Sequence, residues 1–181
     1  LFENAISGAG RFGGALESHE GFPKADVPHG ARVPQGRGLS PSDAFTLELW
    51  LRPKRELLER GRAMLLDKKY VAHNDYQWQL LVDGKSGVAH GEVSLGFGDH
   101  SRSVLSEPFK LEPDRWHHLA FTYDGSGQCR FFLDGKLAGS PRLAGEGRVA
   151  AGPHPLCIGE RVGSNYPGCP ALLDEVRICH G

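Results

Sequence analysis

Apolar and polar residues alternate strictly between residues 45 and 52. The apolar set is Phe45, Leu47, Leu49 and Leu51, and the residues between them are Thr46, Glu48, Trp50 and Arg52. Successive side chains of a β-strand point to opposite faces of its sheet, so this period of two predicts a half-buried strand. The same period over residues 76–82 separates Trp78 from Gln77 and Gln79 and predicts a second strand of this kind.

Short apolar runs bounded by turn residues predict the remaining strands. They lie near residues 14–18, 31–34, 64–67, 92–97, 116–123, 129–133, 156–160 and 172–178. Asp-Gly pairs at residues 83–84, 124–125 and 134–135 mark turns, because Gly readily adopts positive φ. Residues 54–61 have the composition of a short helix. Together these elements predict a single all-β domain over residues 1–181, a two-sheet antiparallel sandwich with at most one or two short helices.

Composition disfavours some classes of binding partner but does not identify one. The 181 residues include 25 Gly and 12 Pro and carry a formal net charge of −1. A balanced charge disfavours electrostatic capture of nucleic acid or of an anionic membrane, and no apolar run approaches the roughly 20 residues that span a bilayer. The chain does not begin with Met, so we expect a processed chain or a domain beside neighbouring domains of a larger protein.

Four motifs in order along the chain resemble one protein family. They are RFGGALE at residues 11–17, FTLELWLRP at 45–53, WHHLAFTYDG with CRFFLDGK at 116–136, and ALLDEVRI at 171–178. These motifs resemble those of the laminin-G-like, concanavalin-A-like lectin and glucanase superfamily of jelly-roll domains. The resemblance implies a jelly-roll fold. It does not select a function, because that fold hosts lectins, glycosidases, adhesion modules and spacers.

The carboxylate pattern argues against a glycosidase. Laminarinase-type relatives carry two catalytic carboxylates on one face of a strand, in a Glu-x-Asp pattern. The Glu-x-Asp here is Glu112-Pro113-Asp114, in a turn, whereas the adjacent Asp174 and Glu175 point to opposite faces of a strand. We therefore expect no enzyme, but a carbohydrate-binding or adhesion module of a larger secreted or surface protein. A structural spacer or interface domain is the alternative, and a divergent glycosidase or polysaccharide lyase is a third.

Aromatic residues beside polar groups are the candidate ligand-binding residues. A sugar ring stacks its apolar face on an aromatic ring while its hydroxyls pair with amides and carboxylates. The loops at residues 68–76 and 161–168 are richest in such groups, and Trp50 is the alternative on a sheet face. The candidates for contact with a glycan or an extracellular protein are Tyr70, Asp75, Tyr76, Tyr166 and Trp50. The opposing interpretation is that Asn- and Gly-rich loops are ordinary connections.

The family resemblance also implies one structural calcium ion at the rim of the sandwich. In similar domains the Asp of the closing strand and groups of the N-terminal segment contribute, which indicates Asp174 with Glu17 or Glu20. The sequence departs from the family here, because Glu20 stands where an Asp is usual or the loop is rebuilt. The alternative role for Asp174 is a carboxylate that bonds backbone amides.

Four cysteines stand at residues 129, 157, 169 and 179 without the C-x-x-C spacing of a zinc site. An extended strand would hold Cys169 and Cys179 about 30 Å apart, too far for a disulfide. Of the remaining pairings we favour Cys157 with Cys169, across the connection between two neighbouring strands, which would leave Cys129 with Cys179. Four buried thiols are the alternative. Disulfides would indicate an extracellular, periplasmic or cell-surface location.

Overall fold

The computed structural model describes residues 6–21, 30–59, 61–84, 86–163 and 168–181. Within these residues the chain forms fourteen β-strands and one short helix, arranged as two antiparallel sheets. The predicted all-β sandwich is therefore confirmed. The described part of the chain contains no helix with the length and apolar character needed to cross a bilayer.

The first sheet has seven strands with the closing strand near its middle. In spatial order they are β1 (Ile6–Ala9), β2 (Gly14–Ser18), β14 (Ala171–His180), β4 (Ala44–Pro53), β10 (His117–Asp124), β11 (Cys129–Leu133) and β12 (Lys136–Leu137). Strand β4 corresponds to the segment of strict alternation, and it pairs with β14 on one side and β10 on the other. The N- and C-terminal parts of the domain thus meet in one sheet.

The second sheet covers the apolar face of the first. Its spatial order is β3 (Ala31–Val33), β13 (Leu156–Ile158), β5 (Arg62–Asp67), β6 (Tyr76–Asp83), β7 (Val88–Gly96) and β8 (Ser101–Leu105), and β9 (Phe109–Lys110) pairs with the other end of β7. The helix α1 (Arg55–Leu58) follows β4, within the segment predicted to be helical.

The core lies between the sheets and consists of the inward residues of the alternating strands. Leu47, Leu49 and Leu51 are fully buried on β4, and Trp78 and Leu80 oppose them from β6. The other residues of β4 lie on the outer face of the first sheet, where they are half-buried. Alternation along β4 therefore determines which side chains are left for recognition.

A β-bulge in β14 changes the residues presented on that outer face. The register with β4 shifts between Asp174 and Arg177, and Glu175 adopts a φ of 48°. Asp174 stands opposite Trp50, and Arg177 stands opposite Glu48. An extra residue in one strand locally breaks the period of two, so both side chains reach the same face.

None of the four cysteines forms a disulfide in this structure, so neither of the two expected pairings is present. Cys129 is buried on β11, whereas Cys179 is exposed on β14. Strands β4 and β10 lie between them, which separates the two by three strand spacings, about 14 Å, twice the reach of a disulfide. Cys157 and Cys169 are buried. Burial raises the pKa of the Cys129 and Cys157 thiols to about 12, which keeps them protonated.

Candidate functional site

The outer face of the first sheet carries an aromatic cluster surrounded by charged groups. Trp50 on β4 has Asp174 and His118 as its partners on the two neighbouring strands. The next outward residue of β4, Glu48, has Arg177 and Ala120 as its partners. We call this surface the Trp50 face, and its principal side chains are Arg11, Phe12, Glu48, Trp50, His118 and Arg177.

The centre of the Trp50 face consists of three rings. The His118 ring centroid lies 5.2 Å from that of Trp50, with 47° between the ring planes. Phe12 meets Trp50 edge to face, with centroids 6.1 Å apart and 78° between the planes. Trp50 is half-buried, but Phe12 is 57% exposed and so presents a free ring surface to solvent.

The turn between β1 and β2, residues 10–13, brings Phe12 and Arg11 to this cluster; we call this turn the arm. The amide of Gly10 donates to the carbonyl of Gly13 at 2.8 Å and closes the turn. The amide of Phe12 donates to Oδ2 of Asp174 at 2.9 Å. A Cβ at residue 10 would lie 2.7 Å from the same oxygen, so this close approach requires Gly. The Asp174 carboxylate therefore holds the arm beside Trp50.

The charged groups of the face are linked to one another. Glu48 lies 3.4 Å from the Nε2 atom of His118 and 3.4 Å from the Nη1 atom of Arg177. Arg177 also pairs with Glu175. Because these groups are partly exposed and screened by water, such pairs contribute little to stability. Their main consequence is to orient a carboxylate, an imidazole and a guanidinium beside the rings.

An apolar strip extends the face toward the edge of the sheet. Ala120 on β10 is followed by its partner Phe132 on β11 and then by Leu137 on the edge strand β12. Leu137 is 58% exposed. The Trp50 face thus continues across five strands, from β14 to β12, as a surface with aromatic, charged and aliphatic parts.

The loop residues predicted from sequence are placed differently. Asp75 and Tyr76 are fully buried, so in this structure neither side chain is open to a ligand as the sequence predicted. Asp75 pairs with Lys68, and the hydroxyl of Tyr76 donates to the carbonyl of Leu39 at 3.2 Å. Both residues therefore support the fold.

Tyr70, a further loop prediction, is not among the residues that contact the Trp50 face. Tyr70 is half-buried and packs against Arg161, whose Cζ lies 5.3 Å from the ring centroid. The ring of His154 meets it edge to face at 6.2 Å. Contact between Tyr70 and a ligand stays a prediction. Tyr166 lies outside the described residues.

The three predicted calcium ligands do not form a common site. Both oxygens of Asp174 accept main-chain amides, from Phe12 and Glu175, and Glu17 pairs with Lys54 at 2.6 Å. The hydrogen bond from Lys54 lowers the pKa of the Glu17 carboxyl. The main-chain oxygen of Glu20 accepts the amide of Gly168 at 3.1 Å. Among the described residues no three His, Cys, Asp or Glu side chains are grouped to hold a metal. The residues present therefore do not fit the calcium site that the resemblance implies.

We expect the melting temperature to be equal in calcium and in chelator, because Asp174 already bonds two amides and Glu17 bonds an ammonium group. A ligand that binds only the folded state raises the melting temperature by mass action, so thermal unfolding in calcium and in EDTA provides the test. A higher melting temperature in calcium than in EDTA, with the difference lost in Glu17→Gln and in Glu20→Gln, would support the predicted site.

Comparisons with known proteins agree on the fold. Domain 4 of an extracellular GH43 arabinanase from Geobacillus stearothermophilus, solved with arabinotriose, is 22% identical, with 99% of this chain and 76% of that chain covered and a TM-score of 0.67. A heptameric SAP-like pentraxin from Limulus polyphemus is 16% identical, with coverage of 89% and 73% and a TM-score of 0.66. The binding domain of Paraclostridial Mosquitocidal Protein 1 is 13% identical, with a TM-score of 0.69.

The share of each relative's chain that this chain covers differs from one relative to the next. This chain is covered to 99% by the mosquitocidal binding domain but spans 43% of that chain. At such identities the solved structures show a shared fold alone. A search of curated protein sequences found no match. A family model with a laminin G designation matches residues 28–181. The chain therefore belongs to the concanavalin A-like lectin/glucanases superfamily.

Proposed function

We propose that this chain is a non-catalytic carbohydrate-binding module and that the Trp50 face is its binding surface. The observation that carries the proposal is an exposed ring, Phe12, fixed beside Trp50 on a face that also carries the ion pair of Glu48 and Arg177. The apolar C–H face of a sugar packs on such a ring, while carboxylate and guanidinium groups hydrogen-bond its hydroxyls. As a module it would belong to a larger secreted or surface protein.

The comparisons support a sugar as the ligand without identifying it. The arabinanase domain with this fold was solved in complex with arabinotriose. The Trp50 face has the chemical groups that a sugar of this kind requires, and it is open to solvent at Phe12. A surface exposed to solvent along a sheet face suits an extended oligosaccharide chain better than a small molecule that must be enclosed.

Alanine at Phe12 is expected to weaken glycan binding about tenfold or more, because burying an aromatic side chain contributes roughly 1.5–3 kcal/mol. Trp50→Ala is expected to have a similar effect. Isothermal titration with plant, algal and animal oligosaccharides measures the loss. Val71, which is 66% exposed in the loop between β5 and β6, provides the matched control, and Val71→Ala is expected to leave the affinity unchanged.

The titrations distinguish a binding site on the Trp50 face from one in the loops. An affinity that survives Phe12→Ala and Trp50→Ala but falls in Tyr70→Ala would move the site to the loop surface. If no oligosaccharide binds at millimolar concentration while circular dichroism shows the fold intact, the carbohydrate-binding proposal is wrong. The apolar strip that ends at the exposed Leu137 then favours the second candidate, an interface with a neighbouring domain.

A further inference from the structure

The guanidinium of Arg11 lies against the rings of the Trp50 face, and no acidic side chain of the described residues pairs with it. Its Cζ atom is 5.0 Å from the centroid of Trp50 and 5.3 Å from that of Phe12. No carboxylate or carbonyl of the described residues lies within bonding distance of it. The side chain is exposed, so its N–H donors are open to a ligand.

Arg11 is held in place by the fold. The arm that carries it is closed by the bond between Gly10 and Gly13 and fastened to the sheet by the bond from Phe12 to Asp174. Contact with two rings further restricts the guanidinium. A side chain that is already ordered loses less entropy when a ligand binds, so this position is prepared for recognition.

Of the charged groups near Trp50, Arg11 is the one that no oppositely charged group of the described residues pairs with. Glu48 is paired with His118 and Arg177, and Glu175 is paired with Arg177. The carboxylate of Asp174 accepts two amides and is 8% exposed. The acidic groups around Trp50 are therefore already bonded, whereas Arg11 is not. A planar guanidinium pairs most strongly with a carboxylate or a sulfated group, through two parallel hydrogen bonds.

We propose that the Trp50 face selects a glycan that contains an anionic sugar, with the anionic group paired to Arg11 and the sugar ring packed on Phe12. The inference rests on the proposed function and adds a ligand class to it.

The experiment compares a uronate oligosaccharide, a sulfated oligosaccharide and a neutral oligosaccharide of the same linkage by isothermal titration. We expect one of the two anionic ligands to bind at least tenfold more tightly than the neutral one in low salt, with the advantage reduced as salt screens the pair. Whichever anionic ligand binds more tightly than the neutral one shows whether a carboxylate or a sulfate group pairs with Arg11. Arg11→Gln is expected to abolish the advantage while changing the neutral affinity less than about threefold, because the rings remain.

Arg130→Gln is the matched control. Arg130 is also an exposed Arg on the outer face, on β11 opposite Thr122, so its loss changes the net charge equally. If Arg11→Gln and Arg130→Gln weaken binding of the anionic ligand equally, the preference reflects the net charge of the protein and the inference is overturned. Equal binding of neutral and anionic ligands, still sensitive to Phe12→Ala, would also overturn it but leave the proposed function standing. Absence of binding by both anionic ligands would overturn the inference, and absence of binding by every oligosaccharide of the larger panel would refute the proposed function as well.

Discussion

Replacing Asp75 with alanine is expected to lower the free energy of unfolding by about 3–5 kcal/mol, because it leaves a buried charge without its partner. Asp75 and Lys68 have fully buried side chains, and their charged atoms lie 3.1 Å apart. Without the carboxylate, the Lys68 ammonium would keep only main-chain carbonyls as partners, at Gly152 and His154. Desolvation of that cation would no longer be offset by an opposite charge.

The pair also joins two separate parts of the chain. Oδ2 of Asp75 accepts the amide of Gly152 at 2.6 Å, and Nζ of Lys68 donates to the carbonyl of His154 at 2.8 Å. The amide of Asp75 in turn donates to the carbonyl of Ala150 at 2.6 Å. The connection from β5 to β6 is thereby fastened to the segment that leads into β13. Loss of the carboxylate removes two bonds together, the one from Lys68 and the one from the amide of Gly152.

Urea denaturation of the wild type and of Asp75→Ala measures the difference. The exposed pair of Arg148 and Asp43, with atoms 3.0 Å apart and side chains 72% and 62% exposed, supplies the control. Asp43→Ala is expected to cost less than about 1 kcal/mol, because water screens exposed pairs. Similar losses in the two variants would contradict the assigned role. In the double variant Lys68→Met with Asp75→Leu, part of the lost stability is expected to return, since no charge is left buried.

Trp78→Ala is expected to cost about 3–5 kcal/mol, whereas Trp78→Phe is expected to cost clearly less. Trp78 is 1% exposed and lies at the centre of the core on β6, between Leu66 of β5 and Val93 of β7. Alanine would leave a large cavity. Phenylalanine would leave a smaller one and would also remove the indole Nε1–H, which has no acceptor among the described residues. A buried donor without a partner costs about 1–3 kcal/mol, so its removal offsets part of the lost packing.

Equilibrium unfolding in urea, with an unchanged slope against denaturant, measures both Trp78 variants. Tyr123→Phe is the matched control, because the buried hydroxyl of Tyr123 donates to the carbonyl of Gly147. That substitution is expected to cost about 0.5–1.5 kcal/mol through the lost hydrogen bond. If Trp78→Phe lowers the free energy of unfolding as much as Trp78→Ala does, removal of the indole N–H offsets nothing, and that N–H does not lack an acceptor.

Several elements of the fold follow from local sequence. The period of two places the Leu side chains of β4 in the core, as predicted, and Asp134-Gly135 forms the turn between β11 and β12 with φ values of 49° and 77°. The strands that were missed are β1, β8, β9 and β12. They are short or lie at sheet edges, and in β8 only Val104 is buried. A strand with so few buried residues leaves little periodic signal in the sequence.

The candidate site was predicted in part. Alternation correctly set Glu48 and Trp50 on the face opposite the core, and it set His118 on the corresponding face of β10. The preference for the loops was less successful, because a loop has no period that reveals which side chains turn inward. Asp75 adopts a φ of 60°, and its carboxylate is directed to Lys68 rather than to solvent.

The sequence by itself determined the class of fold and the two faces of each long strand, because alternation is a property of consecutive residues. Tertiary structure alone decided which strands became neighbours. Pairing of β2 with β14 brings the arm, and with it Arg11 and Phe12, beside Trp50 from nearly 40 residues away in the chain. The bulge in β14 adds Arg177 to the same face. These contacts depend on long-range pairing and register, which no local pattern of residues encodes.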